Sequence, residues 1–140
     1  MFVIIMGCGR VGARLAQMLV AEGHEVTILD ANANAFARLG SDFQGTTLLG
    51  SGVDQEILRR AGIERADAFV AATQGDNRNI MASQIAKHVF GVANVVTRIY
   101  DPLRADTFAT LGLRAISPTL LGANRFFEEL TGQPPASVRS

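Results

Sequence analysis

The chain has 140 residues, which fits one domain and leaves no room for two. Its 13 basic and 13 acidic residues balance to a net charge of zero, so the basic excess typical of nucleic-acid-binding proteins is absent. The single cysteine, Cys8, excludes an intrachain disulfide and a cysteine-based metal cluster, and no apolar run reaches the length of a membrane span.

In the first half of the chain, short apolar runs alternate with helical patterns. The run at residues 2–6 ends at Gly7 and predicts a strand that is buried on both faces. Residues 10–22 follow with apolar side chains at helical spacing, which predicts the first helix. Further along we predict a strand at residues 25–29, a short helix at 32–39 and a strand at 46–49.

The second half repeats this alternation. We predict a helix at residues 54–61, a strand at 68–72, a helix at 76–90, a strand at 95–99, a helix at 103–111 and a strand at 113–116. The last helix starts at Pro118, after the N-cap residue Ser117, and runs to about Leu130. Residues 132–140 contain two prolines and no apolar pattern, so we expect one domain over residues 1–131 and a tail or truncated linker over 132–140.

Strands that alternate with helices in this way predict an α/β fold. Parallel strands need crossover connections, and right-handed crossovers build a doubly wound sheet. We therefore expect a Rossmann-like parallel six-stranded sheet in the order 3-2-1-4-5-6. In such a sheet the ligand lies beyond the carboxyl ends of the strands.

A glycine-rich loop, Gly-Cys-Gly-Arg-Val-Gly at residues 7–12, follows the first predicted strand and opens the first predicted helix. In this context the three glycines predict a dinucleotide-binding loop. Gly7 allows the tight turn, Gly9 lets the backbone approach a pyrophosphate, and Gly12 lets the helix pack close to the strand. The free N–H groups at the helix start would hold the phosphates. The alternative is a plain tight turn between strand and helix.

Asp30 follows the second predicted strand, 18 residues after Gly12. The fingerprint places an acid near this position, where it accepts hydrogen bonds from the ribose hydroxyls. A 2′-phosphate would meet this carboxylate, and no arginine occupies the next three positions, which favours NAD or another adenine nucleotide over NADP. The alternative is that Asp30 caps the following helix.

Other polar residues offer little catalytic chemistry. Arg10 lies inside the glycine loop, where its guanidinium could reach a distal phosphate or a group on the nicotinamide side; the alternative is a solvated arginine on the first helical turn. Cys8 has no second cysteine and is interpreted as a small filler residue. His24 and His88 lack acidic or serine partners at a suitable spacing, and Tyr100 lacks the lysine that short-chain dehydrogenases place four residues later. We predict no catalytic residue.

Several motifs occur in one order along the chain, at residues 7–12 with Asp30, 50–54, 61–68, 72–80, 98–102 and 116–118. In this arrangement residues 1–130 resemble the Trk/Ktr-type N-terminal domain, also called the RCK or KTN domain. The glycine loop is common to all Rossmann proteins. The segment Ala-Gly-Ile-Glu-Arg-Ala-Asp-Ala and the Asp-Pro and Ser-Pro pairs after the later strands are more specific.

The resemblance implies a regulator and not a catalyst. Such domains bind NAD(H), ATP or ADP in the Rossmann cleft, pair through their late helices and assemble as rings beside a potassium-translocating membrane subunit. We therefore expect a homodimer or higher ring in the cytoplasm, peripheral to the inner face of the cell membrane through its partner. We expect no nucleic-acid partner, no metal site and no direct membrane insertion.

The resemblance also implies a set of site residues. It implies a phosphate site at Gly7, Cys8, Gly9, Arg10, Val11 and Gly12, and a ribose site at Asp30 and Ala31. It implies an adenine edge at Ser51, Gly52 and Val53, and a far side of the cleft at Ala72, Thr73, Gln74 and Arg98. The family commonly has Gly-Asp-Ala-Thr where this chain has Gly-Ser-Gly-Val at residues 50–53, and often has acids where Gly75 and Asn77 stand. We expect the missing carboxylate at residues 50–53 to weaken or alter adenine recognition, and the nucleotide preference stays open.

The predicted last helix carries one wide apolar stripe, formed by Leu120, Ala123, Phe126, Phe127 and Leu130. It follows the sixth predicted strand, when the sheet is already complete. We therefore expect a second copy of the chain to cover the stripe. The alternative is that the stripe packs on its own sheet.

Three functions are compatible with the sequence. The first, implied by the resemblance, is a nucleotide-sensing subunit or domain that gates a potassium channel or transporter. The second is an NAD-dependent oxidoreductase fragment without its substrate domain, which needs an acid–base residue near the nicotinamide. The third is an oligomerisation module with an empty cleft, which tight nucleotide binding would exclude.

Overall fold

The computed structural model describes residues 1–110 and 112–136. The strands are β1 (Phe2–Met6), β2 (Glu25–Asp30), β3 (Thr46–Leu49), β4 (Ala68–Ala71), β5 (Asn94–Arg98) and β6 (Arg114–Ile116). The α-helices are α1 (Arg10–Ala21), α2 (Gln55–Ala61), α3 (Asp76–Gln84), α4 (Pro102–Thr110) and α5 (Pro118–Thr131). Short 3-10 helices lie at Ala33–Leu39 and Ile63–Arg65, and a π-helical turn at Ile85–Val89 follows α3.

The strands form one parallel sheet in the order β3-β2-β1-β4-β5-β6. This is the order predicted from the sequence, and the doubly wound Rossmann-like fold is confirmed. Strand β1 lies in the middle of the sheet, where Val3 pairs with Val26 of β2 on one side and with Ala68 of β4 on the other. The switch in strand order between β1 and β4 opens a crevice at the carboxyl ends of the strands.

Side chains of β1 alternate between two cores, one on each face of the sheet. Phe2, Ile4 and Met6 pack with apolar residues of α2 and α3, whereas Val3 and Ile5 pack with residues of α1. All are buried, and burial of a large apolar side chain stabilises the fold by about 1.5–3 kcal/mol. The two cores therefore fix the position of the loop that follows β1.

The element between β2 and β3 differs from its prediction in kind. The predicted helix at 32–39 is a 3-10 helix that begins at Ala33. Asn32 keeps an extended backbone, and its side chain accepts a hydrogen bond from the N–H of Asn34 at 3.0 Å. At both ends of this element the backbone hydrogen bonds span three residues, from the N–H of Ala35 to the carbonyl oxygen of Asn32 at 3.0 Å and from the N–H of Gly40 to that of Ala37 at 3.2 Å, which is the spacing of a 3-10 helix.

The helix predicted at residues 76–90 is α-helical only as far as Gln84. Beyond it the N–H of Phe90 donates to the carbonyl oxygen of Ile85 at 3.2 Å, the hydrogen bond of a π-helical turn. The other boundaries agree with the predicted ones to within one or two residues. Residue 111, the predicted end of the fourth large helix, and residues 137–140 of the predicted tail lie outside the described residues.

Helix α5 begins and ends at well-defined caps. The hydroxyl of Ser117 accepts a hydrogen bond from the N–H of Leu120 at 3.2 Å, as predicted for an N-cap. Gly132 ends the helix in a left-handed conformation with φ 75°. No residue of α5 is buried, and the side chains of Phe126 and Leu130 are 74% and 85% exposed. The apolar stripe of α5 therefore does not pack on its own sheet.

An apolar groove of about 670 Å³ lies on the sheet face next to the start of α5. Its apolar walls come from β1, α1, β4, β5 and β6, including Val3, Val11, Leu15, Val70, Val96 and Ile116. The groove and the exposed stripe of α5 are two uncovered apolar surfaces on the same molecule. Among the described residues, no helix has the length and apolar character needed to cross a membrane.

Candidate functional site

A cleft of about 560 Å³ opens at the carboxyl ends of β1, β2, β4 and β5. Most of its wall consists of the glycine loop, the end of β2, the loop after β3 and the ends of β4 and β5. This is the crevice that the strand order predicts for a ligand.

The glycine loop packs tightly on one side and is open on the other. Gly7 has φ 111°, and a Cβ placed on it would lie 2.7 Å from the carbonyl oxygen of Ala72. A Cβ on Gly12 would overlap the carbonyl oxygen of Gly7, whereas a Cβ on Gly9 would meet nothing within 4 Å. Because α1 begins at Arg10, its first N–H groups have no acceptor within the helix and are available beside the open position.

The carboxylate of Asp30 shapes the loop and lines the cleft. One oxygen accepts a hydrogen bond from the N–H of Cys8 at 2.8 Å, and the other accepts one from the N–H of Asn32 at 2.8 Å. The side chain that caps the following 3-10 helix is Asn32 and not Asp30. Each carboxylate oxygen keeps a free lone pair, so Asp30 can still accept hydrogen bonds from a ligand.

The thiol of Cys8 is buried behind the loop and donates a weak hydrogen bond to the carbonyl oxygen of Ala35 at 3.4 Å. Burial raises the pKa of this thiol, and the nearby carboxylate of Asp30 raises it further, while the guanidinium of Arg38 partly opposes both. The thiol therefore stays protonated at neutral pH. Its environment fits the predicted filler residue.

A buried asparagine joins the ends of β4 and β5. Asn79, on α3, accepts hydrogen bonds from the N–H of Thr73 at 3.0 Å and from its hydroxyl at 2.6 Å. Its amide group donates to the carbonyl oxygens of Thr73 at 3.0 Å and Arg98 at 2.9 Å. The side chain is fully buried, so these bonds form away from water and hold the far wall of the cleft in place.

A second carboxylate positions the loop after β5. Asp76, at the start of α3, accepts hydrogen bonds from the N–H of Tyr100 at 2.8 Å and of Asp101 at 3.3 Å. The guanidinium carbon of Arg98 lies 4.1 Å from the centroid of the Tyr100 ring. Asp76 therefore fixes the backbone beside the two side chains that close this end of the cleft.

Most of the predicted site residues meet at the cleft. Those that line it are Gly7, Cys8, Gly9, Arg10, Val11, Asp30, Ala31, Ser51, Gly52, Ala72, Thr73, Gln74 and Arg98. Gly12 does not line it: a Cβ on this residue would overlap the carbonyl oxygen of Gly7 and lie 3.6 Å from the side chain of Ile5, so Gly12 faces the packed side of the loop. Val53 does not line it either; its side chain packs against the core that includes residues of β1, α2 and α3.

The sequence interpretation missed several lining residues, among them Asn32, Ala35, Arg38, Arg78 and Tyr100. One signal could have found Arg78: like Arg10, it is an arginine in the first turn of a helix that follows a strand. Arg38 gives no such signal: it lies in the last turn of the 3-10 helix, and its guanidinium donates a hydrogen bond to the carbonyl oxygen of Cys8 at 3.4 Å. Among the described residues, no group of three or more histidine, cysteine or acidic side chains is arranged to hold a metal ion.

The sequence comparisons identify relatives over most of the chain. The family model of the TrkA-N domain matches residues 3–118. The Trk system potassium uptake protein TrkA of Streptomyces coelicolor is 47% identical over 130 residues, which are 93% of this chain and 58% of that protein. The chain thus spans less than two thirds of the length of this relative.

Solved structures share the fold. The Kef C-terminal domain of Shewanella denitrificans in its AMP-bound form has a TM-score of 0.78 and 25% identity, and the match covers 99% of this chain and 85% of that one. GsuK bound to ADP has a TM-score of 0.79 and 23% identity over 94% of this chain and 34% of that one. The GsuK channel bound to NAD has a TM-score of 0.77 and 23% identity over 91% and 22%. The chain belongs to the TrkA-N domain family.

Proposed function

We propose that this chain is a nucleotide-sensing regulatory domain, which binds NAD(H) or ATP/ADP and thereby controls a membrane potassium channel or transporter. The single observation that carries the proposal is the cleft itself, where the open glycine loop lies beside the carboxylate of Asp30, whose oxygens each keep a free lone pair. The Streptomyces coelicolor relative is a potassium uptake protein, which supports a potassium-translocating membrane protein as the partner. The domain would work in the cytoplasm, beside the inner face of the membrane.

The cleft offers each part of an adenine nucleotide a chemically suitable surface. The N–H groups at the start of α1 suit the phosphates, and the open side of Gly9 lets them approach. Asp30 suits the ribose hydroxyls, and the backbone at Ser51 and Gly52 suits the adenine edge. The AMP of the Kef domain and the ADP and NAD of GsuK support the same class of ligand.

Regulation requires that the ligand distinguish two arrangements of an assembly. The exposed stripe of α5 and the apolar groove on the sheet face support assembly through a second copy of the chain. Arg10, Val11, Ala72 and Arg98 line both the cleft and the groove. A nucleotide in the cleft would therefore act directly on the wall of the assembly surface.

Calorimetric titration of the purified chain with NADH, NAD, ATP, ADP and NADPH tests the ligand. We expect at least one adenine nucleotide to bind, with NADPH much weaker because its 2′-phosphate meets Asp30. In Asp30→Ala the affinity falls by about tenfold to a hundredfold, since hydrogen bonds to a charged group are lost. Asp54→Ala is the matched control, because Asp54 caps α2 outside the cleft and its removal leaves affinity unchanged. Absence of binding by every nucleotide would contradict the proposal.

Sedimentation of the Phe126→Glu variant tests the assembly. A glutamate in the centre of the exposed stripe is expected to weaken self-association at least tenfold, because a carboxylate is costly to bury. Thermal stability stays unchanged, since Phe126 is 74% exposed in the single chain. Gln55→Glu adds the same charge on the exposed start of α2, away from both the stripe and the groove, and should leave association intact. A wild-type chain that sediments only as a monomer would argue against the second copy.

The alternative of a hydride-transfer enzyme gains no support from the placement of the histidines. His24 contacts the terminal amine of Met1 at 3.0 Å, and His88 lies in the π-helical turn. The cleft lining of the described residues offers mainly backbone groups, hydroxyls and arginines, which suit binding of a polyanion. Oxidation of NADH by the purified chain in the presence of a carbonyl substrate would favour the enzyme.

A further inference from the structure

Two of the four methionines of the chain border the apolar groove. Met1 and Met18 line it and are both more than half exposed. Met6 is buried, and Met81 is exposed on α3, outside the groove. Oxidation converts the thioether of methionine into a sulfoxide, which turns an apolar side chain into a polar one. The groove therefore carries a modifiable group on a largely apolar surface.

Met18 is held on the face of α1 that forms one wall of the groove. Val11, Leu15 and Met18 follow one another at spacings of four and three residues, which places them on one side of the helix. The side chain of Met18 is 53% exposed in the single chain, so a small oxidant can reach it. A second copy of the chain that covers the groove would cover Met18 together with Val11 and Leu15.

The thiol of Cys8, the other oxidisable sulfur group, is shielded. Cys8 is fully buried, and its thiol donates to the carbonyl oxygen of Ala35. Burial raises the pKa of this thiol, so little of the reactive thiolate is present at neutral pH. An oxidant would therefore act on the exposed methionines before it reaches the cysteine.

Arg14 lies one helical turn before Met18 and can stabilise the oxidised side chain in the free chain. Both residues line the groove, and side chains four residues apart on a helix are neighbours. Arg14 belongs to no ion pair among the described residues, so its guanidinium can donate to a sulfoxide oxygen. In the assembled form the sulfoxide would instead be buried against the apolar stripe of α5, which is unfavourable for a polar group.

We propose that Met18 is an oxidation site through which hydroperoxides control the self-association of this chain. The sulfur lone pair attacks one peroxide oxygen, the O–O bond breaks and an S–O bond forms. Sulfur is oxidised by two electrons, and the leaving oxygen takes the proton of the transferred oxygen and departs as water or an alcohol. The inference rests on the proposed function, because it requires that a second copy cover the groove. It adds an input to assembly that is separate from the nucleotide.

Timed oxidation with hydrogen peroxide, followed by peptide mass spectrometry, tests whether assembly covers Met18. In a dilute, monomeric sample we expect Met18 to oxidise at a rate within about threefold of that of Met81, which is 55% exposed. In a concentrated, associated sample the oxidation of Met18 should slow at least about tenfold, because only the free chain exposes it. Equal rates of Met18 oxidation in the two samples, or no oxidation in the dilute one, would overturn the proposal.

Sedimentation of the chain, oxidised while dilute and then concentrated, tests the control of assembly. Oxidation is expected to weaken self-association at least about tenfold, because a polar group must be buried without a partner. Methionine sulfoxide reductases should restore the association. Met18→Leu removes the sulfur, so peroxide should not change its association relative to its own untreated sample. Met81→Leu is the matched control and should respond to peroxide as the wild type does.

The outcomes separate this inference from the assembly on which it rests. If Met18→Leu dissociates in peroxide as the wild type does, another group such as Met1 is responsible, and the proposal for Met18 is overturned. It is also overturned if the oxidised wild type associates as tightly as the reduced one, or if circular dichroism shows that oxidation has unfolded it. In these cases the second copy stands. A reduced wild-type chain that is monomeric at every concentration would overturn the second copy and this inference together.

Discussion

Replacement of Gly12 by alanine is expected to lower the free energy of unfolding by about 3 kcal/mol. The new methyl group would overlap the carbonyl oxygen of Gly7 and lie 3.0 Å from its carbonyl carbon. Both are backbone atoms of the glycine loop, so the methyl group fits only if α1 moves away from the start of that loop. Circular dichroism during heating should show a midpoint lowered by roughly 10 °C.

Gly9→Ala is the matched control for Gly12→Ala. Gly9 has φ −82° and its Cβ position is empty to beyond 4 Å, so alanine should change stability by less than about 0.5 kcal/mol. Its methyl group would nevertheless occupy the approach to the helix N–H groups and weaken nucleotide binding. If Gly12→Ala unfolds at the wild-type temperature, the inference that Gly12 has no room for a methyl group is wrong.

Asn79→Ala is the second substitution with a large expected effect. It removes four hydrogen bonds and leaves the N–H and C=O of Thr73 and the C=O of Arg98 without this partner. We expect the free energy of unfolding to fall by about 3 kcal/mol, because leaving buried polar groups without hydrogen bonds is unfavourable. Urea unfolding measures the loss as a lower midpoint at an unchanged slope.

The same substitution at an exposed asparagine provides the control. Asn34 lies on the surface of the 3-10 helix, and Asn34→Ala should stay within about 0.5 kcal/mol of the wild type. In Asn79→Ala the far wall of the cleft loses its support, so the affinity for the bound nucleotide should fall together with stability. An Asn79→Ala chain as stable as Asn34→Ala would mean that water or neighbouring groups replace the amide.

Local patterns in the sequence were sufficient to predict the sheet and the wall of the cleft that the glycine loop and Asp30 form. The five apolar residues of β1 can be satisfied only in a strand covered on both faces, and Gly7 marks where it ends. Asp30 is found by its distance along the chain from Gly12, because the length of one strand–helix–strand unit fixes that spacing. These features depend on contacts within one βαβ unit.

The far wall of the cleft depends on contacts between distant elements, and the sequence does not display them. Asn79 looks like an ordinary helical residue until α3 packs beside β5 and brings its amide to Arg98. Arg38 reaches the cleft through the path of the 3-10 helix. The π-helical turn at Ile85–Val89 likewise contains no glycine or proline, so the sequence gives no signal of the change in hydrogen-bond spacing.

The central position of β1 has a consequence for synthesis on the ribosome. One edge of β1 pairs with β2, whereas the other pairs with β4, which is synthesised much later. The N–H of Phe2, for example, donates a hydrogen bond to the carboxylate of Asp67, 65 residues further along the chain. At about 5–20 residues per second, that edge stays unpaired for several seconds after β1 is made. During this interval the nascent chain exposes an uncharged, aggregation-prone strand, Phe-Val-Ile-Ile-Met, which cotranslational chaperones would be expected to shield.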